Sequence, residues 1–409
     1  MHFEFGFYSS LLLIFFVHGL VYAILLYRKG YRNDSQSDKW LSIFLLLCIL
    51  YISPWMLGFG GWYDTQPYRD FLFYMPFQHL YFIGPIIFFY VQSLLNPSFR
   101  FGKNGLFHLL PGILYLLYSL IMFITDNLIL HRYYFLADGA DRDFDNWYQI
   151  SGTISMLVYF LLSLRYYQLY RSMVVQVVSF ADTLLFKWVK NFLTAFLIMI
   201  LLNVVFSIAS YFPIFANMQY TGPWWQYFSF ALIFYYIAIA GYSNEVRARL
   251  SFRVNLLTDR PMYLLQPSAL SEIAIEMEDA EIIEITTNKE DEIASDTLLD
   301  EWKPIILQQV AAEKAYEDPE LTLTQLARML KSNATIVSKV INQGFQLNFN
   351  DFINHHRVEA VKQKLQAGEQ QNQTLLGIAL DCGFNSKATF NRAFKKHTGL
   401  SPKEYMHQL

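Results

Sequence analysis

Seven stretches of this chain, near residues 5–27, 40–60, 71–95, 105–125, 148–170, 188–212 and 223–243, are long, apolar and bounded by charged or turn-forming residues. A bilayer core of ~30 Å is crossed by about 20 residues rising 1.5 Å each, and no water there satisfies an open backbone. Residues 1–253 are therefore expected to form a seven-helix transmembrane bundle. Pro54, Pro76, Pro85 and Pro111 lie in or near these runs, where neighbouring helices can satisfy the freed backbone groups. A hydrophobic content of 54% against 16% charged residues fits a chain partly in lipid. The first run ends in Tyr27-Arg28-Lys29 without a small-residue cleavage site, so it reads as an anchor rather than a removable leader. Residues 172–187, short and carrying Asp182, read as an amphipathic helix on the inner leaflet.

The short loops give an orientation. Thirteen Lys and Arg residues, from Arg28 to Arg253, fall in loops on one side, against Arg69, Arg132 and Arg142 on the other. Basic loops stay in the cytoplasm, so the N-terminus is expected outside and the C-terminal part inside. The outer loop 126–147 is acid-rich and long for a connection. It is expected to cover a pocket near Gln78 and His79, the candidate binding residues for an unknown small-molecule or membrane signal. Polar residues within or at the ends of the runs (His18, Gln78, His79, His108, Asn203) are each expected to make an interhelical hydrogen bond.

Beyond the apolar region the charge changes sign twice. Residues 254–300 carry twelve acids against Arg260 and Lys289, and residues 319–409 carry eleven bases against six acids. The first stretch, taken as 254–296, reads as an acidic flexible linker, with a coil reach of about 35 Å. The second balance, Arg357 among its bases, suits a polyanion. Residues 297–409 read as a soluble all-helical domain with two helix-turn-helix units. In the first, Thr322 or Thr324 starts the helix of LTLTQLARML and Asn333 caps NATIVSKVINQ. In the second, Thr374 caps LLGIALDC, Gly383 makes the turn, Asn385 or Ser386 caps KATFNRAFKKH, and Gly399 ends it. Between them lies a helix of about 18 residues, long enough to set the two second helices about one DNA turn, ~34 Å, apart. Phe384, Phe390 and Phe394 form the inward stripe of the second unit.

The pairs Ile378-Ala379 and Gly383-Phe384, then Phe390, Phe394-Lys395-Lys396, Gly399 and Pro402, carry a specific likeness. On them, residues 305–409 resemble the C-terminal DNA-binding domain of the AraC family of bacterial transcription regulators. The resemblance implies base contacts at Thr335, Ser338 and Lys339 in the first unit and at Lys387, Ala388, Asn391 and Arg392 in the second, with phosphates met by Lys395 and Lys396. Lys331 stands where the family usually has a turn glycine. The apolar half, through HLYFIGPIIFFYVQSL and FHLLPGIL, is similar to a subgroup with a multi-span region before such a domain.

The expected architecture is thus all-α: a seven-helix transmembrane bundle, an acidic linker, then the helix-turn-helix domain. The expected function is a one-component regulator in a bacterial cytoplasmic membrane, binding double-stranded promoter DNA. The lipid bilayer, an RNA polymerase contact and a homodimer are its further expected partners. A transporter whose occupancy the DNA-binding part reports, and a passive anchor, are the competing functions. No HExxH, GxSxG or phosphate loop is present, so neither an enzyme nor a cofactor is expected. Adjacent His355 and His356 point about 100° apart on a helix, and no metal site is expected.

Overall fold

Helix formation follows the apolar runs, and the computed structural model describes residues 5–136, 142–181, 187–209, 221–244, 252–255, 260–264, 282–284 and 295–408. The chain divides into two compact units, residues 1–167 with 187–249, and residues 168–186 with 250–409.

The first unit contains α1 (Phe7–Arg32), α2 (Gln36–Gly58), α3 (Tyr68–Tyr74), α4 (Leu80–Leu95) and α5 (Lys103–Phe123). It also holds most of α6 (Arg142–Val177), then α7 (Lys187–Ala209) and α8 (Thr221–Tyr242). Among the described residues, five helices, spanning Phe7–Arg32, Gln36–Gly58, Lys103–Ile129, Phe144–Val177 and Lys187–Ala209, are long and apolar enough to cross a membrane. The expected run 71–95 is not one helix. Met75, forced toward extended backbone by the following proline, ends α3, and α4 restarts at Leu80 with 16 residues. The opened backbone is satisfied by a side chain: Leu80 N donates to the Tyr148 hydroxyl at 3.1 Å, and that hydroxyl donates to Gln78 O.

Helix α4 is apolar all round because helices surround it; residues from Leu80 to Leu95, including Pro85, are largely buried. Close crossings use small residues: a Cβ on Gly84 would stand 2.8 Å from the Tyr159 ring, and one on Gly19 2.9 Å from the Phe234 ring. Ser42 Oγ donates to Ala23 O at 2.7 Å and Trp188 Nε1 to the Tyr90 hydroxyl at 2.5 Å, so these two buried groups are paired across helices. In contrast, α5 leaves Phe107, Leu110, Leu114, Leu117 and Ile121 exposed at three- and four-residue spacing, an uninterrupted apolar stripe.

Among the described residues, the second unit is helical except for three short strands and the turns between elements. β1 (Phe252–Asn255), β2 (Arg260–Leu264) and β3 (Ile282–Glu284) form an antiparallel sheet in the order β1-β2-β3. Part of the stretch read as a flexible linker is therefore paired backbone; its Val, Ile and Tyr residues favour strands even where acids outnumber them. There follow α9 (Ser295–Leu307), α10 (Leu323–Met329), α11 (Ala334–Lys339), α12 (Phe349–Gln366), α13 (Leu375–Asp381), α14 (Lys387–Thr398) and α15 (Pro402–His407). Phe349, Phe352, Phe384, Phe390 and Phe394 are fully or almost fully buried and form its core with Ile353 and Val361.

Residues 172–187 differ from expectation. Residues 172–177 are the end of α6 rather than a separate helix, Val178 makes a β-bridge with Thr322, and residues 182–186 lie outside the described residues. Tyr170, Met173, Val174, Val177, Val178 and Ala181 are all at most 1% exposed. Their apolar side chains are covered by protein, not offered to lipid.

Candidate nucleic-acid interface

The two helix-turn-helix units are α10–α11 and α13–α14. Each begins on a side-chain cap that replaces a missing backbone acceptor. Thr322 makes a reciprocal capping box with Gln325, Asn333 accepts from Thr335 N, Thr374 from Gly377 N and Ser386 from Thr389 N. Thr322 and Ser386, rather than Thr324 and Asn385, are thus the caps at the two ambiguous starts. Gly399 closes α14 in left-handed backbone, φ +78°.

The turns are equivalent but differently made. Gly383 has φ +87° and Lys331 has φ +50°. A lysine in that region pays a penalty that glycine does not. Lys331→Gly should therefore raise the stability of the second unit by about 0.5–1 kcal/mol, seen as a higher denaturant midpoint with unchanged slope; a lower midpoint would mean the lysine side chain is needed there.

On α14 the expected residues come together. Lys387, Ala388, Asn391, Arg392 and Lys395 are exposed, at spacings that share one helix face, while Thr389, Phe390, Ala393 and Phe394 are buried. Lys396 is exposed too, but its Nζ donates to Asp351 Oδ2 at 2.7 Å and ties α14 to the first turn of α12. A phosphate would have to share it with that carboxylate.

The first unit presents less. Thr335 is exposed and Lys339 half-buried, whereas Ser338 is buried and its Oγ accepts from Asn342 Nδ2 at 3.2 Å. Ser338 therefore faces its own unit. Strand β3 lies beside α11, so the first of the two second helices has a neighbour in its own unit.

Arg357, read among bases suited to a polyanion, is 1% exposed. Its place was legible from spacing: Ile353, Arg357 and Val361 stand four residues apart, so the arginine interrupts a buried stripe. Burial brings its pKa down to about 10, which leaves it charged at neutral pH. His355 and His356 point to different surroundings, His355 against His397 with ring centroids 5.2 Å apart and His356 against Phe352 at 4.9 Å.

In the first unit, Gln78 lines a cavity of about 700 Å³ with Arg69, Tyr115, Tyr148 and Gln149. Gln78 Nε2 donates to the Tyr227 hydroxyl at 3.2 Å, and Gln149 donates to Gln78 Oε1. His79 does not line this cavity; it is buried, and its Nδ1 has no hydrogen-bond partner among the described residues. The connection 126–136 is pinned by Asp126, which accepts from the Tyr74 hydroxyl at 2.9 Å and from Phe135 N at 3.3 Å. His108 pairs with the Tyr159 hydroxyl at 2.8 Å, and Asn203 with Thr153 and Tyr51, as interhelical bonds. His18 instead pairs with Ile14 O of its own helix.

Residues 326–408 match a family model described as a helix-turn-helix domain. The chain is 31% identical over 88 residues to the melibiose operon regulatory protein of Escherichia coli (strain K12), covering 22% of this chain and 28% of that protein. It is 33% identical over 86 residues to an uncharacterized HTH-type transcriptional regulator of Staphylococcus aureus (strain COL), covering 21% of this chain and 11% of that protein. The chain thus spans less than a third of the length of these relatives, and its residues 326–408 form a helix-turn-helix domain. No solved structure matches the chain.

Proposed function

We propose that this chain is a membrane-embedded one-component transcription regulator, whose C-terminal unit binds double-stranded promoter DNA in the cytoplasm under the control of its membrane helices. The observation that carries this reading is the exposed face of α14. Lys387, Ala388, Asn391, Arg392 and Lys395 stand together opposite the buried Phe390 and Phe394. An arginine fork suits guanine O6 and N7, an asparagine amide suits adenine, and lysines suit phosphates. The name of the E. coli relative, an operon regulatory protein, supports the same use. Embedding in the bilayer is supported by the apolar stripe exposed along α5 and by the five long apolar helices. A second copy of the chain and RNA polymerase are proposed as further partners, and the signal is proposed to enter at the cavity beside Gln78.

Mapping DNA crosslinked to the full chain in a bacterial membrane fraction should recover a small set of promoters. A uniform genomic background would reject the reading. Orientation has its own test: a reporter active only outside the cytoplasm should be active when fused after Trp147 and silent after Arg253. The reverse pattern would leave the helix-turn-helix domain on the wrong side for DNA.

A further inference from the structure

The buried guanidinium of Arg357 is held by five acceptors. Nε donates to Tyr316 O at 2.9 Å, Nη1 to Ser179 O at 3.4 Å and Asn354 Oδ1 at 3.3 Å, and Nη2 to Ser179 Oγ at 3.0 Å and Asp318 O at 2.7 Å. An arginine has five N–H donors, so the set is complete, and two of the five acceptors belong to Ser179. Ser179 lies 178 residues before Arg357, just beyond the end of α6.

The same short segment is fixed on its other side. Val178 bridges Thr322, the cap of α10, Ser179 N donates to Leu321 O at 3.1 Å, and Asn350 Nδ2 donates to Ser179 O at 2.8 Å. Val178, Ser179 and Ala181 are wholly buried. Arg357 in turn backs the second turn: its guanidinium stands 5.9 Å from the Phe384 ring centroid, and a Cβ on Gly383 would lie 3.0 Å from its Nε. One segment therefore supports the start of α10 directly and the turn before α14 through Arg357.

We propose that Val177–Ala181 is a docking segment of the DNA-binding unit, which holds the turn before α14 in place and lets displacement of the end of α6 loosen the second DNA-contacting helix. The docked state is the DNA-competent one, because only it keeps Arg357 fully paired behind Gly383 and Phe384. Lifting the segment leaves a buried cation with unpaired donors, which favours collapse or rearrangement of its surroundings. The consequence for DNA rests on the reading of α14 given above; the docking itself does not.

Amide hydrogen exchange on the full chain in lipid nanodiscs tests it without DNA. Val178→Asp places a charge in a buried position and should undock the segment. Amides of 384–398 should then exchange roughly tenfold faster or more, while those of 358–365 keep their protection. Ser179→Ala removes one acceptor only and should accelerate exchange of 384–398 by about two- to tenfold. Unchanged exchange at 384–398 overturns the proposal, and if Val178→Asp unfolds the whole unit, Ser179→Ala alone decides. Operator binding by the same nanodiscs should fall in step with exchange. Faster exchange with unaltered operator affinity would overturn the regulatory part, whereas a wild-type chain that binds no DNA would fail the functional reading and leave the exchange result standing.

Discussion

Gly383→Ala should destabilise the second unit by more than about 3 kcal/mol, two effects adding at one atom. The residue has φ +87°, where a side chain costs ~1–2 kcal/mol. The new Cβ would also lie 2.2 Å from Tyr316 O and 2.9 Å from Glu317 O, far inside contact distance. These are backbone atoms, and Tyr316 O accepts from Arg357 Nε, so that carbonyl cannot yield without disturbing the buried cation. Gly399→Ala is the matched control: φ is +78° but nothing lies within 4 Å of its Cβ position, so only the backbone cost of about 1–2 kcal/mol remains. Denaturant unfolding of the full chain, followed by hydrogen exchange in 349–398, separates the two. Equal losses would mean that the Tyr316 carbonyl moves away freely and that the packing behind the turn is unimportant.

Arg392→Ala should cost about 1–3 kcal/mol on a specific operator, roughly 5- to 150-fold in Kd, and relax preference at one base pair. Arg392 sits one turn beyond Ala388 on the exposed face of α14, with the helix held from behind by Phe390 and Phe394. The loss should be confined to the operator, since a fork reading a base edge adds little on random sequence. Lys395→Ala should instead weaken operator and scrambled duplex alike and lower the salt slope by about one. Equal losses on both duplexes for Arg392→Ala would make it a phosphate contact and place α14 differently on DNA. Lys396→Ala is expected to have a mixed effect, because it also breaks the pair with Asp351, an exposed bridge worth at most about 1 kcal/mol.

What the sequence made legible were features that depend on neighbours a few residues apart. The helix-turn-helix units, the caps Asn333 and Thr374, the left-handed glycines and the inward stripe of phenylalanines all follow from local spacing. Even the odd turn at Lys331 was visible as a lysine in a glycine's place, and it has the backbone that glycine would have. Apolar length likewise located the long apolar helices, but it did not show where a run stops being helical. Pro76 reads as a tolerated proline until the cavity beside Gln78 and the Tyr148 hydroxyl supply a reason for an open backbone.

The misses share a cause: pairing between distant residues has no period. Ser338 was expected at a base only through the family resemblance, and it is buried against its own unit. Arg357 counts as a base in any charge tally; its spacing from Ile353 and Val361 marks a buried position, but nothing local names the distant carbonyls that hold its charge. The apolar residues of 172–181 look suited to lipid because the surface that covers them lies far along the chain. Acid density hid the strands in the same way, since backbone pairing in β1–β3 is not set by net charge.

The central claim is that one chain, seated in a bilayer, reads DNA sequence. Full-length protein in nanodiscs, with its C-terminal unit accessible, should select from a random duplex pool a motif whose contacted positions fall within about one helical turn of each other. Footprinting should protect that motif, and Arg392→Ala should abolish selection at one position while leaving the others. Retention of random and selected duplexes to the same extent, with no footprint, would contradict the account.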